Sequence, residues 1–281
     1  MKLTFSNSTG KVCFGDGEVF KITALSGIYI PSKIYGTINY AGYDGQLTYQ
    51  TNANARTITL GVDIVSKNVR RYLENAMKVL NSEGTLVFDY GDKVRKIYCN
   101  QVTFSMSERS VSHAVFALQF VCDNPYFTDL APMRFSLHGS VGNITNPITL
   151  PCVLSTSDTK KIITNSGHAN VFPVITIYVQ KKGTNNSEYN YGYKFKNNTT
   201  GKEIYLKYVS NAGETITIDI EKRTAKGNIT GNLISYVDMD TWLEDFYLVP
   251  GDNDIEAIDL GAGDISRISI KYQNKYVEAV Y

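Results

Sequence analysis

The residues best able to hold a metal or act as nucleophiles are three histidines and four cysteines. His113, His138 and His168 are widely separated, and none belongs to an HExxH pair. A zinc site needs ligands that converge, so this spacing argues for ordinary surface or edge histidines. Cys13, Cys99, Cys122 and Cys152 form no CxxC pair and read as reduced core residues, not disulfides. Cys13 or Cys99 beside a histidine would make a thiol nucleophile, but each falls in a strand pattern that favours the core. The Gly15/Gly17 and Gly261/Gly263 pairs do not continue to GxGxxG before a helix, so both read as turns. Asp252, Asp254 and Glu256 could offer oxygens to calcium, but the glycine and glutamate that complete an EF-hand loop are missing. A turn on Pro250-Gly251 accounts for them more simply. There is no GxSxG elbow and no phosphate-binding loop, and nothing singles out an acid pair among 27 carboxylates. The expectation is a protein without enzymatic activity, metal or cofactor.

The remaining chemistry is that of contact. The chain has 20 Tyr and 12 Phe against one Trp, and tyrosine suits surfaces dry at one end and wet at the other. Four tyrosines fall within Ile34 to Thr57, a stretch that also carries Gly36, Gly42 and Gly45 and few aliphatic residues. A long hairpin over 34–57 reaching away from its domain fits this pattern better than two buried strands. A solvated loop would waste the aromatic area, so Tyr35, Tyr40, Tyr43 and Tyr49, with Arg56 at the hairpin's end, are candidate subunit-interface residues. A second candidate is an aromatic platform for a sugar face formed by Tyr236, Trp242 and Phe246. A core position is the preferred reading for the lone tryptophan.

Several elements must position these residues. Short alternating runs at 2–5, 11–14 and 18–30 predict strands, with Gly15 to Gly17 as a hairpin turn. Strand Arg56 to Ile64 leads into a helix over 66–81, capped by Ser66, with Val69, Leu73, Ala76 and Leu80 on one face. Thr85 to Ser107 reads as two strands turning at Gly91-Asp92, and Ser112 to Phe127 as a central strand apolar on both faces. Four of the seven prolines lie between Pro125 and Pro151, marking a domain boundary. Beyond it, Val174 to Gln180, Glu203 to Val209, Thr215 to Ile220, Asp245 to Val249, Asp254 to Leu260 and Arg267 to Gln273 predict regular short strands without a helix. That pattern indicates a β-sandwich. The predicted domains are therefore 1–130, a linker over 131–145, and 146–281.

Bulk properties narrow the class. Hydrophobic residues make up 43% and charged residues 20%, a globular composition. Net charge is +1, which gives no broad basic face for nucleic acid. The N-terminus lacks an apolar h-region, so no secretory signal is visible. Asn-x-Ser/Thr sequons at Asn7, Asn143 and Asn228 then read as chance products.

The run from Arg56 to Phe104, closing with Phe116 to Phe127, resembles the N-terminal half of phage distal tail proteins. That family has a strand, an arginine-bearing helix, an R-x-Y/W strand and an aromatic strand ending in DPYW. Here Arg95 precedes Ile97-Tyr98, and Asp123-Asn124-Pro125-Tyr126-Phe127 carries the last signature, with an inserted Asn124 and Phe at 127. In the second half, Asn165-Ser166-Gly167 with Phe172 to Ile177, Asn197 to Gly201, Gly213 to Asp219 and Phe246 to Ile255 resemble further family elements in the same order. The resemblance implies a mainly β protein with one helix. Its N-terminal β-sandwich or split-barrel domain would carry the hairpin arm, and a galectin-like β-sandwich would follow. It implies a homohexameric ring hub at the virion tail tip, or in a prophage-derived tail particle, made in the bacterial host cytoplasm. The arm would grip the neighbouring protomer, and the lumen would pass DNA. The implied partners are the tail tube protein, the tail-associated hub protein, and receptor-binding or other baseplate proteins, with no membrane insertion. A carbohydrate-binding adhesion module is the alternative reading.

Overall fold

The computed structural model describes residues 1–42, 44–138, 140–142, 155–157, 159–183, 191–260 and 263–279. The chain divides into two compact units: Met1–Leu130 together with the C-terminal residues from Lys275 onward, and Ala131–Asn274. The second domain predicted from sequence extends over 146–281. The structure instead returns the chain end to the first unit, where Lys275 and Tyr276 pair with Thr128 and Phe127.

The first unit contains β1 (Lys2–Ser6), β2 (Lys11–Gly15), β3 (Phe20–Ser26), β4 (Lys33–Ile38), β5 (Leu47–Ala53), β6 (Arg56–Val65), helix α1 (Val69–Leu80), β7 (Gly84–Asp89), β8 (Val94–Cys99), β9 (Gln101–Arg109), β10 (His113–Cys122) and β11 (Phe127–Asp129). One ten-stranded sheet runs from Lys275–Tyr276 through β11, β8, β7, β1, β2, β3, β6 and β10 to β9. It folds over on itself, so that Phe5 of β1 lies 5.4 Å from Phe120 of β10. The alternation in β6 and β10 does this work: Ile58, Leu60, Val62 and Ile64 point inward, as do Ala114, Phe116, Leu118, Phe120 and Cys122. The opposite face of β10 is only partly covered. Burying each large apolar side chain contributes about 1.5–3 kcal/mol, and α1 adds Val69, Leu73, Ala76, Val79 and Leu80 to the same core.

Two local expectations change. Gly15 to Gly17 does turn the chain, with positive φ at both glycines, but β2 and β3 meet as parallel neighbours at Phe14 and Phe20. The hairpin is β1–β2, closed by the Asn7 N–H donating to the Gly10 carbonyl. Helix α1 starts at Val69 behind Asn68, not at Ser66. The Ser66 hydroxyl spends itself on the Asn68 N–H, forming a turn that delays the first helical residue.

The second unit contains β12 (Met133–His138), β13 (Ser140–Gly142), β14 (Ser155–Ser157), β15 (Lys160–Asn165), β16 (Val174–Lys182), β17 (Tyr193–Asn197), β18 (Lys202–Leu206), β19 (Thr215–Asp219), β20 (Thr224–Gly227), β21 (Gly231–Asn232), β22 (Gly251–Asp259) and β23 (Gly263–Tyr272). Sheet β12-β23-β16-β19-β20-β21 and sheet β15-β22-β17-β18 share one core of inward residues such as Ile175, Ile177, Phe195, Ile218 and Ile255. This is the expected β-sandwich. Part of the predicted linker is strand: β12 pairs with β23, and Phe135 stacks on Tyr272. Asp245 to Val249 is no strand. A 3-10 turn over Leu243–Asp245 precedes an isolated bridge between Val171 and Leu248, and Phe246 and Leu248 still enter the core.

Candidate assembly surfaces

Strands β4 and β5 form a two-stranded sheet of their own, pairing Tyr35 with Gln50, Gly36 with Tyr49 and Ile38 with Leu47. Neither joins the ten-stranded sheet. Tyr35 is 58% exposed, Tyr40 57% and Tyr49 48%, and Ile34, Ile38 and Leu47 are exposed beside them. Tyr43 lies outside the described residues. The cross-strand partner of Tyr49 is Gly36, where an added Cβ would fall 2.3 Å from the tyrosine ring. A glycine there lets the ring lie flat over the backbone, and a larger residue would lever it away.

Arg56 does not share the exposure expected of an interface residue; it is buried. Its Nε donates to the Pro125 carbonyl at 2.7 Å. Nη1 donates to Gly27 O at 2.8 Å and to Tyr29 O, and Nη2 to Val277 O at 2.6 Å. The guanidinium sits 4.5 Å above the Phe127 ring. Burial lowers its pKa to about 10, so it stays a cation at neutral pH. Four carbonyls from distant segments thus satisfy one desolvated charge. Arg95 continues the arrangement by donating to Glu278 O at 2.6 Å and stacking 3.9 Å from the Tyr276 ring. Together the two arginines fasten the C-terminal residues beside the root of the hairpin, where Asn54 N donates to Ser32 O.

The other candidates separate. In the second unit Trp242 is 66% exposed, not in the core as preferred from sequence. Tyr236 is half-exposed with its ring edge against Tyr208, whereas Phe246 is fully buried and takes no part in a surface platform. His113 Nε2 lies 2.9 Å from Asp63 Oδ1. Cys122 and Cys99 meet in the core at 3.5 Å between sulfurs, and that contact together with burial pushes the Cys99 thiol up. Cys152 falls outside the described residues. Among the described residues no three His, Cys, Asp or Glu side chains gather as metal ligands, and no helix is long and apolar enough to cross a membrane.

One further surface lies outside the residues singled out from sequence. Lys67, Arg70, Arg71 and Arg109 line a cleft of about 660 Å³ along α1. An adjoining cleft of about 550 Å³ adds Lys78 and shares Arg70, Glu74 and Arg109. Averaging over a chain of net charge +1 hides this basic strip. The i,i+3 and i,i+4 spacing of Lys67, Arg70, Arg71, Glu74 and Lys78 was its available signal.

Residues 166–276 match the family model described as siphovirus-type tail component, C-terminal domain. Residues 15–122 match that described as phage tail protein RIFT-related domain. Among solved structures the chain is similar to the crystal structure of the phage SPP1 Dit protein (gp 19.1), described as a paradigm of the hub adsorption apparatus in phages infecting Gram-positive hosts. The two share 15% identity over 98% of each chain, with a TM-score of 0.66. A chain of the phage p2 baseplate in its activated conformation is 12% identical over 98% of this chain and 97% of that one, with a TM-score of 0.46. No curated protein matches.

Proposed function

Since the chain belongs to the siphovirus-type distal tail components, structural proteins of the phage tail and baseplate, we propose that six copies close into a ring at the tail tip. The ring joins the tail tube protein to the tail-associated hub protein and anchors receptor-binding or other baseplate proteins. DNA passes through its lumen, and the protein catalyses nothing. The observation that carries this reading is the hairpin β4–β5, whose exposed Tyr35, Tyr40 and Tyr49 flank exposed Ile34, Ile38 and Leu47. A two-stranded sheet is marginal alone in water, and an apolar row of this kind gains its stability from a covering surface. A closed ring requires a head-to-tail contact, one patch meeting a different patch on the neighbour. An arm laid across the next copy supplies the area for it.

The test is to compare the full chain with a variant lacking residues 37–54 by light scattering and low-resolution imaging. The full chain is expected to give the mass of six copies and a six-fold annulus. The variant is expected to stay folded but fail to form the annulus. A deletion variant that still forms hexamers overturns the role of the arm.

A further inference from the structure

In the second unit, the segments around Arg223 and Ile234–Glu244 enclose a groove of about 440 Å³ with Trp242 on its wall. Trp242 is 66% exposed and Met239 91%, an unusual outlay of apolar surface for residues that no neighbouring part of their own unit covers. Trp242 stands at the head of the 3-10 turn Leu243–Asp245, its carbonyl accepting from the Asp245 N–H at 3.0 Å.

The polar groups of the groove are already matched. Arg223 Nη2 pairs with Glu244 Oε2, and Lys207 Nζ with Asp238 Oδ2 at 2.6 Å. Arg223 faces Asp238 and Glu244 in the lining, with Lys207 reaching Asp238 from outside it, so no excess of positive charge draws a phosphate, a nucleic acid or an acidic peptide. Arg223 is also the one non-glycine residue with positive φ among the described residues, at 55°. A side chain held in that region marks a position whose geometry is enforced by its surroundings. Arg223 closes the turn before β20, its N–H donating to the Ile220 carbonyl at 3.2 Å, and its guanidinium meets Glu244 on the same groove as the indole.

We propose that this groove binds a neutral pyranose. The C–H face of the sugar lies on the Trp242 indole, and neighbouring hydroxyls accept from Arg223 and donate to Glu244. An apolar peptide would use Met239 and Trp242 but leave the charge pair desolvated without new partners, a cost that a polyhydroxyl ligand avoids. The site lies wholly in the second unit, so its test stands whether or not the first unit forms a ring.

Trp242 is the only tryptophan, so the indole emission of the intact chain reports this groove alone. Glucose, galactose, N-acetylglucosamine and rhamnose are each titrated to about 50 mM, enough to saturate a site with a Kd near 1 mM. At least one is expected to change the emission saturably. Glu244→Ala and Arg223→Ala should each weaken that sugar about tenfold, through loss of hydroxyl hydrogen bonds. By calorimetry, Trp242→Ala should abolish binding and Trp242→Phe should retain it. The proposal is overturned if none of the four sugars shifts the emission, or if the shift persists undiminished in both charge-pair variants. It is equally overturned if an aliphatic peptide saturates the emission change and the sugars do not, which would make the groove a protein-docking surface.

Discussion

Hairpin β4–β5 and strand β6 follow one another in sequence, and their side chains meet opposite fates. On β6, Ile58, Leu60, Val62 and Ile64 are sealed in the core. On the hairpin, Ile34, Tyr35, Ile38, Leu47 and Tyr49 stay in contact with solvent. The hairpin carries fewer aliphatic residues than β6, and the layers behind the two also differ. Strand β6 lies between β3 and β10 with a second layer over its inner face, whereas the hairpin has only itself. Between them sits Arg56, a charge placed where apolar residues would be expected. Composition alone therefore does not separate core from contact surface, and the partner that covers each row must be sought separately.

The contrast can be broken at several points. The largest effect is expected at its hinge. Arg56→Ala leaves four carbonyls without their donors, lowering the stability of the first unit by about 3–5 kcal/mol; chemical denaturation followed by near-ultraviolet circular dichroism measures it. A loss below about 1 kcal/mol would show that the four carbonyls are solvated without the arginine. On β6, Leu60→Ala should cost about 2–5 kcal/mol through lost burial and a residual cavity. On the hairpin, the double change Tyr35→Ser with Tyr49→Ser should move stability by no more than about 0.5 kcal/mol while abolishing the six-copy mass. If that pair destabilises the monomer as Leu60→Ala does, the hairpin is part of the core and the contrast fails.

The smallest effect concerns a buried anion in the second unit. Glu214 accepts hydrogen bonds from the Tyr208 hydroxyl at 2.8 Å, the Asn211 N–H at 2.9 Å and the Thr230 N–H at 3.2 Å. Burial pushes its carboxyl up, but these donors outweigh it and hold the pKa below the ordinary 4.5. With the folded pKa depressed, the stabilisation is complete above the unfolded pKa and is lost as pH falls through the folded one. The Tm of the second unit should therefore fall more steeply below pH 4.5 in the native chain than in Glu214→Gln. Parallel curves would deny the carboxylate that role. Arg56, a cation throughout that range, should show no such acid dependence.

Where a strand's own period set its burial, the sequence was readable: β6, β10, β16 and β22 all alternate as their residues demand. The hairpin's want of aliphatic residues was readable from composition, while its bounds differ: β5 ends at Ala53 and Arg56 already belongs to β6. Of three other differences, two depend on a partner far away in the chain, and the third on neighbours that compete for the core. The stretch 131–145 looked like a linker because prolines surround it, yet β12 is held by β23, more than a hundred residues on. Arg56 reads as a candidate interface residue from its place at the hairpin's end, and nothing local announces carbonyls at Gly27, Tyr29, Pro125 and Val277. Trp242 looked like core because large aromatics dominate cores. Its neighbours Leu243 and Phe246 take those places instead.

Because the last residues rejoin the first unit, the second is spliced into its host at two seams, near 130 and near 275. The two-residue ladder between Lys275–Tyr276 and β11, with the Arg56 and Arg95 bonds to Val277 and Glu278, closes the second of these seams.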